Sequence, residues 1–174
     1  MKLLAEISEK TLGIEPTDEI LERTFRFRKS ARAVLFNDKD EVCLQLVGKY
    51  NYYKLPGGGV EVGETEEEAL KREIVEEVGC DITLEKELGI TIEFRNQLDL
   101  LHISYGYMTR VQGETREPAY EQGEIDEGYQ SVWVPLEEAL RLIQTKGPDA
   151  PYEAPFILER EYAFLSEAKN LLDK

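Results

Sequence analysis

The sequence predicts an α/β sandwich, in which helices cover both faces of a mixed β-sheet. Two observations favour this class: the hydrophobic pattern alternates along several segments, as in strands, and amphipathic helical segments occur between and after them. A length of 174 residues suits one substantial hydrophobic core. We therefore expect residues 1–174 to form a single domain, with an accessory N-terminal segment at 1–28 and a C-terminal helix at 152–174.

The chain begins with segments that predict strands. Residues from Leu3 to Gly13 are expected to form a strand or a short accessory element. Strands are then predicted at Ser30–Phe36 and Val42–Val47, on either side of a polar turn at 37–40. Just upstream of Ser30, aromatic and basic residues alternate, which indicates a strand with one aromatic and one basic face. The basic residues of this run are Arg23, Arg26, Arg28, Lys29 and Arg32.

The helix predicted from Thr65 to Val78 has signals at both ends and along its length. Apolar side chains recur on one side at every fourth position: Leu70, Ile74 and Val78. At its start, Thr65 and Glu68 form a T-x-x-E capping box. At its end, Gly79 supplies a stop signal. The apolar side predicts that the helix packs against the body of the protein.

The rest of the chain is predicted to contain three strands and two helices. The strands are Ile82–Phe94, Leu98–Val111 and Ser131–Val134. The helices are Leu136–Gln144 and a terminal helix from about Pro155 to Leu172, in which Ile157, Phe164, Ala168 and Leu171 form one apolar stripe. Glu114–Gly128 is a polar, acidic connection that is longer than most loops, so it is a candidate functional segment.

The bulk composition excludes several classes of protein. A net charge of -15 argues against binding of nucleic acid, because phosphate backbones require a basic surface. No apolar run approaches the ~20 residues of a membrane span, and the first residues contain too short an apolar stretch for a signal peptide. Cys43 and Cys80 show neither a disulfide framework nor a metal-ligand spacing. We expect a cytoplasmic protein that does not bind membranes.

Three glutamates on the predicted helix form a candidate metal site. Glu73, Glu76 and Glu77 are spaced i, i+3 and i+4, so their carboxylates project from one side, with about 5–6 Å between neighbours. Two such charges repel by under about 1 kcal/mol in bulk water, but by about 3 kcal/mol at an effective dielectric constant of ~20. Because the apolar side holds this helix against the protein, the carboxylates favour a bound cation over a solvated acidic face.

The glycine-rich segment before the helix, Leu55–Gly59, permits positive φ angles and close approach of the backbone to a ligand. Gly58, Gly63 and Thr65 match the spacing of a Walker-type phosphate loop. The lysine of that motif is replaced by Glu64, which reverses the charge needed at the nucleotide phosphates. The sequence therefore excludes a P-loop, while an ordinary strand-to-helix turn stays open as an explanation of the glycines.

The segment from Gly58 to Cys80 matches a longer pattern, G-x5-E-x7-R-E-U-x-E-E-x-G-U, in which U is an apolar aliphatic residue. The residues at its specified positions are Gly58, Glu64, Arg72, Glu73, Ile74, Glu76, Glu77 and Gly79. The last position departs from the pattern, but Cys80 packs there as a small hydrophobe. Together with Tyr53–Gly58, which is similar to an aromatic-x-L-P-G-G lead-in, this segment resembles the box of the Nudix hydrolase family.

The resemblance implies the same α/β/α sandwich and a hydrolase that uses Mg²⁺ or Mn²⁺. Such enzymes cleave a diphosphate bond in a nucleoside diphosphate linked to another moiety, as in nucleoside triphosphates, nucleotide sugars or dinucleotides. The implied metal ligands are Glu73, Glu76 and Glu77, with the Gly58 carbonyl as a further ligand. Arg72 would be fixed to Glu64 or Glu73 and shape the site. The implied partners are a small-molecule nucleotide and, as is common in the family, a second copy of the chain.

The resemblance leaves the general base open. The family draws it either from a box glutamate or from a carboxylate on a later loop. The later loop here offers Glu121, Glu124, Asp126 and Glu127, among which we take Glu124 as the candidate. His102 is the only histidine and could accept a proton near neutral pH. Its position among apolar strand residues favours a packed or surface imidazole instead.

Three basic residues are candidate ligands for substrate phosphate: Arg26, Arg28 and Lys54. Lys54 lies in the lead-in to the box, whereas the two arginines belong to the predicted basic strand. The explanation that we favour for the strand is protection of a sheet edge, since edge strands commonly carry Lys and Arg to block aggregation. Binding of substrate phosphate is the hypothesis that competes with it.

Two other functions compete with hydrolysis. One is a catalytically inactive binding module of the same fold, which would have no need to retain the mutually repelling carboxylates. The other is an isomerase of isoprenyl diphosphates, which would require a catalytic cysteine, and neither Cys43 nor Cys80 has an evident role in a site. Residues 81–97 contain neither the proline nor the tyrosine by which family subgroups are distinguished, so the substrate stays open.

Overall fold

The computed structural model describes residues 1–15 and 24–174, so Arg23 of the basic run lies outside the described residues. The strands are β1 (Leu3–Ser8), β2 (Arg26–Phe36), β3 (Glu41–Val47), β4 (Tyr52–Lys54), β5 (Asp81–Arg95), β6 (Leu100–Gln112) and β7 (Tyr129–Pro135). The helices are α1 (Glu66–Val78), α2 (Gln122–Glu127), α3 (Leu136–Leu142) and α4 (Ala154–Leu172). No helix in these two ranges is both long and apolar enough to cross a bilayer.

The described strands form one mixed sheet in the order β1-β5-β6-β2-β3-β4, with β7 beside β3. β1 runs parallel to β5, and β2 runs parallel to β6 from Arg26 opposite Leu100 to Phe36 opposite Arg110. β2 is therefore an interior strand, and the interpretation of its basic residues as protection of a sheet edge is wrong. Arg28 and Arg32 lie near the buried carboxylates Glu93 of β5 and Glu161 of α4, respectively. Lys29 instead pairs with Glu66 of α1 at 2.8 Å.

β2 and β3 separate over most of their length. They pair at Phe36 and Val42, and beyond this point the backbone of residues 56–60 replaces β3 at the side of β2. The Ala31 N–H donates to the Gly58 carbonyl at 3.0 Å, and the Ala33 N–H donates to the Pro56 carbonyl at 3.0 Å. The glycine-rich segment is thus fixed to the centre of the sheet, next to the opening between the two strands.

Alternate side chains of β2 enter two different cores. One core contains Ala31, Ala33 and Leu35 of β2 with Leu70, Ile74 and Val78 of α1. The other contains Val34 and Phe36 of β2 with Ile143 beyond α3 and Phe164 of α4. Since successive residues of a strand point to opposite faces, α1 covers one face of the sheet while α3 and α4 cover the other. The predicted α/β sandwich is confirmed.

The ends of α1 follow the predicted signals. The Thr65 side chain accepts from the Glu68 N–H, and the Glu68 carboxylate accepts from the Thr65 N–H at 2.8 Å. Gly79 has a φ of 74° at the C-terminal end, and a Cβ there would lie 2.0 Å from the Arg116 carbonyl oxygen. Only glycine fits this position, so the helix end is fixed against the segment that leads to α2.

The buried side of α4 differs from the predicted apolar stripe. Phe164 and Ala168 are fully buried, whereas Ile157 and Leu171 are half-buried. The helix can approach the sheet closely because a Cβ at Gly106 would lie 2.2 Å from the Phe164 ring. Between these apolar contacts, Arg160 and Glu161 are buried as well, at 1% and 0% exposed. The helix is confirmed, but its buried side is partly ionic.

Two short elements were not predicted from the sequence. β4 spans three residues before the glycine-rich segment, and α2 lies inside the connection predicted at 114–128. Each is too short to produce a periodic signal of its own. At the N-terminal end, β1 confirms the strand alternative for the segment from Leu3 to Gly13, and it forms an edge of the main sheet, parallel to β5.

Candidate active site

A cleft of about 190 Å³ opens where β2 separates from β3. Its lining residues are Arg28, Arg32, Lys54, Gly57, Gly58, Gly59, Glu73, Glu76, Glu77, Glu121 and Glu124. A larger groove between α3 and α4, of about 620 Å³, is lined by a single carboxylate, Glu137. The smaller cleft therefore gathers the chemistry-bearing residues of the box, the glycine-rich segment and the later loop.

The carboxylates of α1 approach the glycine-rich segment very closely. A Cβ on Gly58 would lie 2.2–2.3 Å from the Glu73 carboxylate, so a larger residue at this position would displace that carboxylate. Glu73 and Glu76 are half-buried, and Glu77 is 1% exposed. The Gly58 carbonyl accepts the Ala31 N–H, which leaves its second lone pair for another partner. The fold thus places the Gly58 backbone next to the Glu73 carboxylate.

Arg72 connects the box carboxylates to one another. Its Nε and Nη2 donate to Glu64 at 2.8 and 3.0 Å, and its Nη1 donates to Glu73 at 2.8 Å and to Glu76 at 3.4 Å. Nη2 also donates to the Gly59 carbonyl at 3.0 Å. The hydrogen bonds from Arg72 lower the pKa of Glu64 to about 2, so this carboxylate stays charged. Arg72 is placed to orient the carboxylates of the site.

Glu77 is held by two donors inside the protein. Its Oε1 accepts from Lys54 Nζ at 3.1 Å, and its Oε2 accepts from the Gly57 N–H at 2.6 Å. The Lys54 ammonium also lies 4.5 Å from the centre of the Tyr129 ring. Burial lowers the pKa of Lys54, but the charge of Glu77 more than compensates and the pKa is raised overall. Glu77 therefore positions the glycine-rich segment as well as lining the cleft.

The cleft has the donor set and the charge of a divalent-cation site. Five carboxylates face three cationic side chains. Burial, and then the nearby charge of Glu77, raise the pKa of Glu73, although Arg72 opposes this shift. Burial also raises the pKa of Glu124, and the charge of Glu77 adds to this effect. Mutually repelling oxygen ligands of this kind fit Mg²⁺ or Mn²⁺.

The three α1 carboxylates do not surround a common point in the described ranges, where no cluster of three or more His, Cys, Asp or Glu side chains has metal-ligand geometry. The cause is visible in their partners, because Arg72 holds Glu73 and Lys54 holds Glu77. Two cations of the protein thus neutralise the carboxylates. A divalent ion would bind through their remaining lone pairs or displace one of these side chains.

The other candidate residues divide between the cleft and more distant positions. Glu121 and Glu124 line the cleft, whereas Asp126 and Glu127 are not among its lining residues. Arg28 and Lys54 also line it. Arg26 is exposed and donates to the Leu98 carbonyl at 3.3 Å, outside the cleft.

His102 is buried, at 3% exposed, and its Nε2 lies 3.0 Å from Ser30 Oγ. Burial and then the charges of neighbouring arginines lower its pKa far below the ordinary value. The imidazole is therefore neutral and packed, as the sequence favoured, and it is not placed to serve as a base in the cleft.

An ionic layer that the sequence did not reveal lies between the sheet and α4. Arg160 donates to Glu93 at 3.0 Å and to Glu161 at 2.5 Å, and Arg95 donates to Glu93 at 2.7 Å. Arg32, which lines the cleft, lies close enough for Arg160 and Glu161 to alter its pKa. The signal that could have identified Arg32 is its position four residues after Arg28, on the same face of β2.

Comparison with known proteins agrees with this geometry. The family model described as the NUDIX domain matches residues 26–157. Diphosphoinositol polyphosphate phosphohydrolase 2 of Rattus norvegicus is 32% identical over 125 residues, which cover 70% of this chain and 66% of that protein, slightly under two thirds. A putative 8-oxo-dGTP diphosphatase of Bacillus subtilis is 31% identical over 83 residues, 48% of this chain and 55% of that protein.

A solved structure shows the same fold. The NUDIX hydrolase from Nitrosomonas europaea superposes with a TM-score of 0.59 at 18% identity, covering 81% of this chain and 90% of that one. The family model spans the sheet from β2, the whole box and the start of α4. As the pattern from Gly58 to Cys80 predicted, the chain belongs to the Nudix hydrolase family.

Proposed function

We propose that this protein is a pyrophosphohydrolase that uses Mg²⁺ or Mn²⁺ to cleave a phosphoanhydride bond in a nucleoside diphosphate linked to another moiety. The observation that carries the proposal is the cleft, in which five glutamates face Arg28, Arg32 and Lys54. Nudix hydrolases generally use divalent metal ions such as Mg²⁺. The names of the two relatives denote a phosphohydrolase of diphosphoinositol polyphosphates and a diphosphatase of 8-oxo-dGTP.

The α1 carboxylates would hold the metal in this reaction. Glu73, Glu76 and Glu77 would provide ligands, with the Gly58 carbonyl as a further oxygen. When bound, the ion neutralises phosphate charge and acidifies a water molecule for attack at phosphorus. Arg72 fixes the positions of the carboxylates through hydrogen bonds to four partners. The metal would thus lie against α1, on one side of the cleft.

The other side chains of the cleft would act on water and substrate. Glu124 would serve as the base, because its burial raises its pKa and its place opposite α1 suits a water in the cleft. Its Oε2 already accepts the Glu121 N–H at 2.9 Å, so the water proton would pass to Oε1. Arg28 and Lys54 would contact phosphate oxygens. A cytoplasmic location and a homodimer remain predictions from the sequence.

The isomerase alternative is disfavoured by the two cysteines. Cys43 and Cys80 are buried outside the lining of the cleft. Burial raises the pKa of both thiols, that of Cys80 to about 11, so neither forms a thiolate readily. The inactive-module alternative is disfavoured by the complete set of box carboxylates, because the five glutamates of the cleft outnumber its three cationic side chains.

A substrate panel tests the proposed function. With Mg²⁺, the protein should release phosphate, pyrophosphate or a nucleoside monophosphate from at least one compound in the panel. The panel contains nucleoside triphosphates, nucleotide sugars, dinucleoside polyphosphates and a diphosphoinositol polyphosphate, and products are separated by ion-exchange chromatography. Excess EDTA should abolish turnover and added Mg²⁺ should restore it. Turnover that survives chelation, or binding of these compounds without any turnover, would contradict the proposal.

Replacing Arg28 by glutamine should raise KM about tenfold with a smaller change in kcat, because one charge-assisted hydrogen bond to phosphate contributes roughly 1.5–3 kcal/mol. Steady-state kinetics on the best panel substrate measures this. The matched variant is Arg26→Gln on the same strand, whose side chain lies outside the cleft and should leave KM within about twofold. Equal effects at the two positions would show that Arg28 acts only through general surface charge.

A further inference from the structure

Arg32 is a buried cation whose hydrogen-bonding groups are incompletely used. It lies on β2 with 6% of its surface exposed, and it lines the cleft. In the described ranges, its Nε and Nη1 are buried and make no hydrogen bond. Leaving such donors unpaired in the interior is costly, so native proteins rarely keep them without a reason. The sequence placed Arg32 in the basic run but gave it no role.

The surroundings of Arg32 do not supply the missing partner. Burial lowers its pKa, and the charges of Arg160 and Arg28 lower it further. Glu161 and Glu77 partly offset these effects, but neither forms a hydrogen bond with it in the described chain. The protein therefore holds a guanidinium whose charge is disfavoured on balance. An anion entering the cleft would remove both the repulsion and the unpaired donors.

The neighbouring cations of the cleft are less suited than Arg32 to hold a phosphate deep in the cleft. Lys54 is committed to Glu77 at 3.1 Å, and Arg28 is exposed rather than buried. Among the described cationic residues of the cleft, Arg32 is thus both buried and left with unpaired N–H donors. A guanidinium presents its N–H groups as a planar fork that matches two oxygens of one phosphate. The α1 carboxylates line the same cleft, so a phosphoanhydride could contact a metal through one phosphate and Arg32 through the other.

We infer that Arg32 forms the phosphate subsite of this cleft and binds the phosphate group that is not held by the metal. The inference rests on the proposed function for its substrate, a diphosphate linked to another moiety. It assigns Arg32 a role in binding that Arg26 was expected to have. Arg28, exposed and four residues earlier on the same face of β2, would contact the same anion from the outer part of the cleft.

The first test measures binding without metal. Methylenediphosphonate, a diphosphate analogue that cannot be hydrolysed, is titrated into the metal-free protein by calorimetry at constant ionic strength. Arg32→Met should bind it roughly 10- to 100-fold more weakly than the wild type, as expected for loss of charge-assisted hydrogen bonds. Arg32→Lys keeps the charge but not the fork, so its affinity should be intermediate. Equal affinity in all three proteins would overturn the inference.

Arg110→Gln is the matched control for these titrations. Arg110 lies on the adjacent strand β6, and its partners Glu85, Asp40 and the Asn37 carbonyl are all within the protein. Its replacement should leave diphosphonate affinity unchanged. An equal loss of affinity in Arg110→Gln and Arg32→Met would show that net charge, rather than a subsite, determines binding, and would overturn the inference.

A second readout separates a binding role from a structural one. Because the environment disfavours the charge of Arg32, Arg32→Met should have a Tm in the absence of ligand at least as high as that of the wild type. A residue held structurally by Glu161 would behave oppositely, and its loss would lower Tm. If Arg32→Met has a lower Tm or does not fold, the diphosphonate affinity of Arg32→Lys decides the matter. An affinity of Arg32→Lys equal to that of the wild type would then overturn the inference.

The inference and the proposed function can fail separately. Binding that depends on Arg32, without Mg²⁺-dependent hydrolysis of any panel compound, would refute the hydrolase and retain the subsite. The opposite result is Mg²⁺-dependent hydrolysis in which Arg32→Lys changes neither KM nor the affinity for diphosphonate. It would support the proposed hydrolase activity and refute the phosphate subsite at Arg32.

Discussion

Glu77→Gln should lose both catalytic activity and several kcal/mol of stability, whereas Glu76→Gln should lose activity alone. Glu77 is 1% exposed and holds the buried Lys54 ammonium and the Gly57 N–H. Removing one partner of a buried ion pair costs roughly 3–5 kcal/mol, because the other charge is left without compensation. Glu76 is half-buried and accepts one long hydrogen bond from Arg72, at 3.4 Å, so its loss should barely affect folding.

Two measurements check this prediction. Urea denaturation should show a lower free energy of unfolding for Glu77→Gln and a value near that of the wild type for Glu76→Gln. Turnover of the best substrate should fall by orders of magnitude in both variants, since each removes a charge from the proposed metal site. A Glu77→Gln protein as stable as the wild type would contradict the ion pair with Lys54.

Lys54→Met in the Glu77→Gln background is the informative double variant. If the instability comes from an unpaired Lys54 ammonium, removing that ammonium should recover part of the lost stability. Activity should not recover, because the carboxylate is still absent. Additive losses of stability in the double variant would show that the two residues do not interact.

Arg160→Met should be the most destabilising substitution in α4. Arg160 is 1% exposed and lies between Glu93 and Glu161, which are both 0% exposed. Its removal leaves two buried carboxylates without their common partner, which should cost roughly 3–5 kcal/mol. For a chain of this size the Tm should fall by roughly 6–20 °C, as measured by differential scanning calorimetry.

Arg141→Met provides the comparison for this effect. Arg141 is an exposed helical arginine that pairs with Glu138 at the surface. Pairs of this kind contribute about 0–1 kcal/mol, so the Tm should change by only a few degrees. Similar shifts for Arg160→Met and Arg141→Met would mean that the buried ionic layer does not stabilise the fold.

Local signals predicted the part of the fold that carries the box. The capping box at Thr65, the four-residue apolar period and the stop at Gly79 are each contained in a few neighbouring residues. The structure shows all three at the expected positions. The box also identified Glu73, Glu76 and Glu77 as neighbours, since helical spacing determines which side chains share a face.

Long-range pairing explains what could not be predicted. The basic run suggested an edge strand because its compensating carboxylates, Glu93 and Glu161, lie far away in the sequence. Only the parallel pairing of β2 with β6, and the packing of α4 on that face, bring them together. The ion pair of Lys54 could not be predicted for the same reason, because its partner Glu77 lies 23 residues later in the sequence, near the end of α1.

The position of Arg160 on α4 also has a consequence for the order of events during biosynthesis. The ribosome completes β2, β5 and β6 well before it reaches this helix, so Glu93 and its neighbours must first remain hydrated in a nascent chain. Domains generally fold as units, so the sheet and α4 are expected to fold together. Packing of α4 against the sheet would therefore be the step that removes Glu93 and Arg160 from water together.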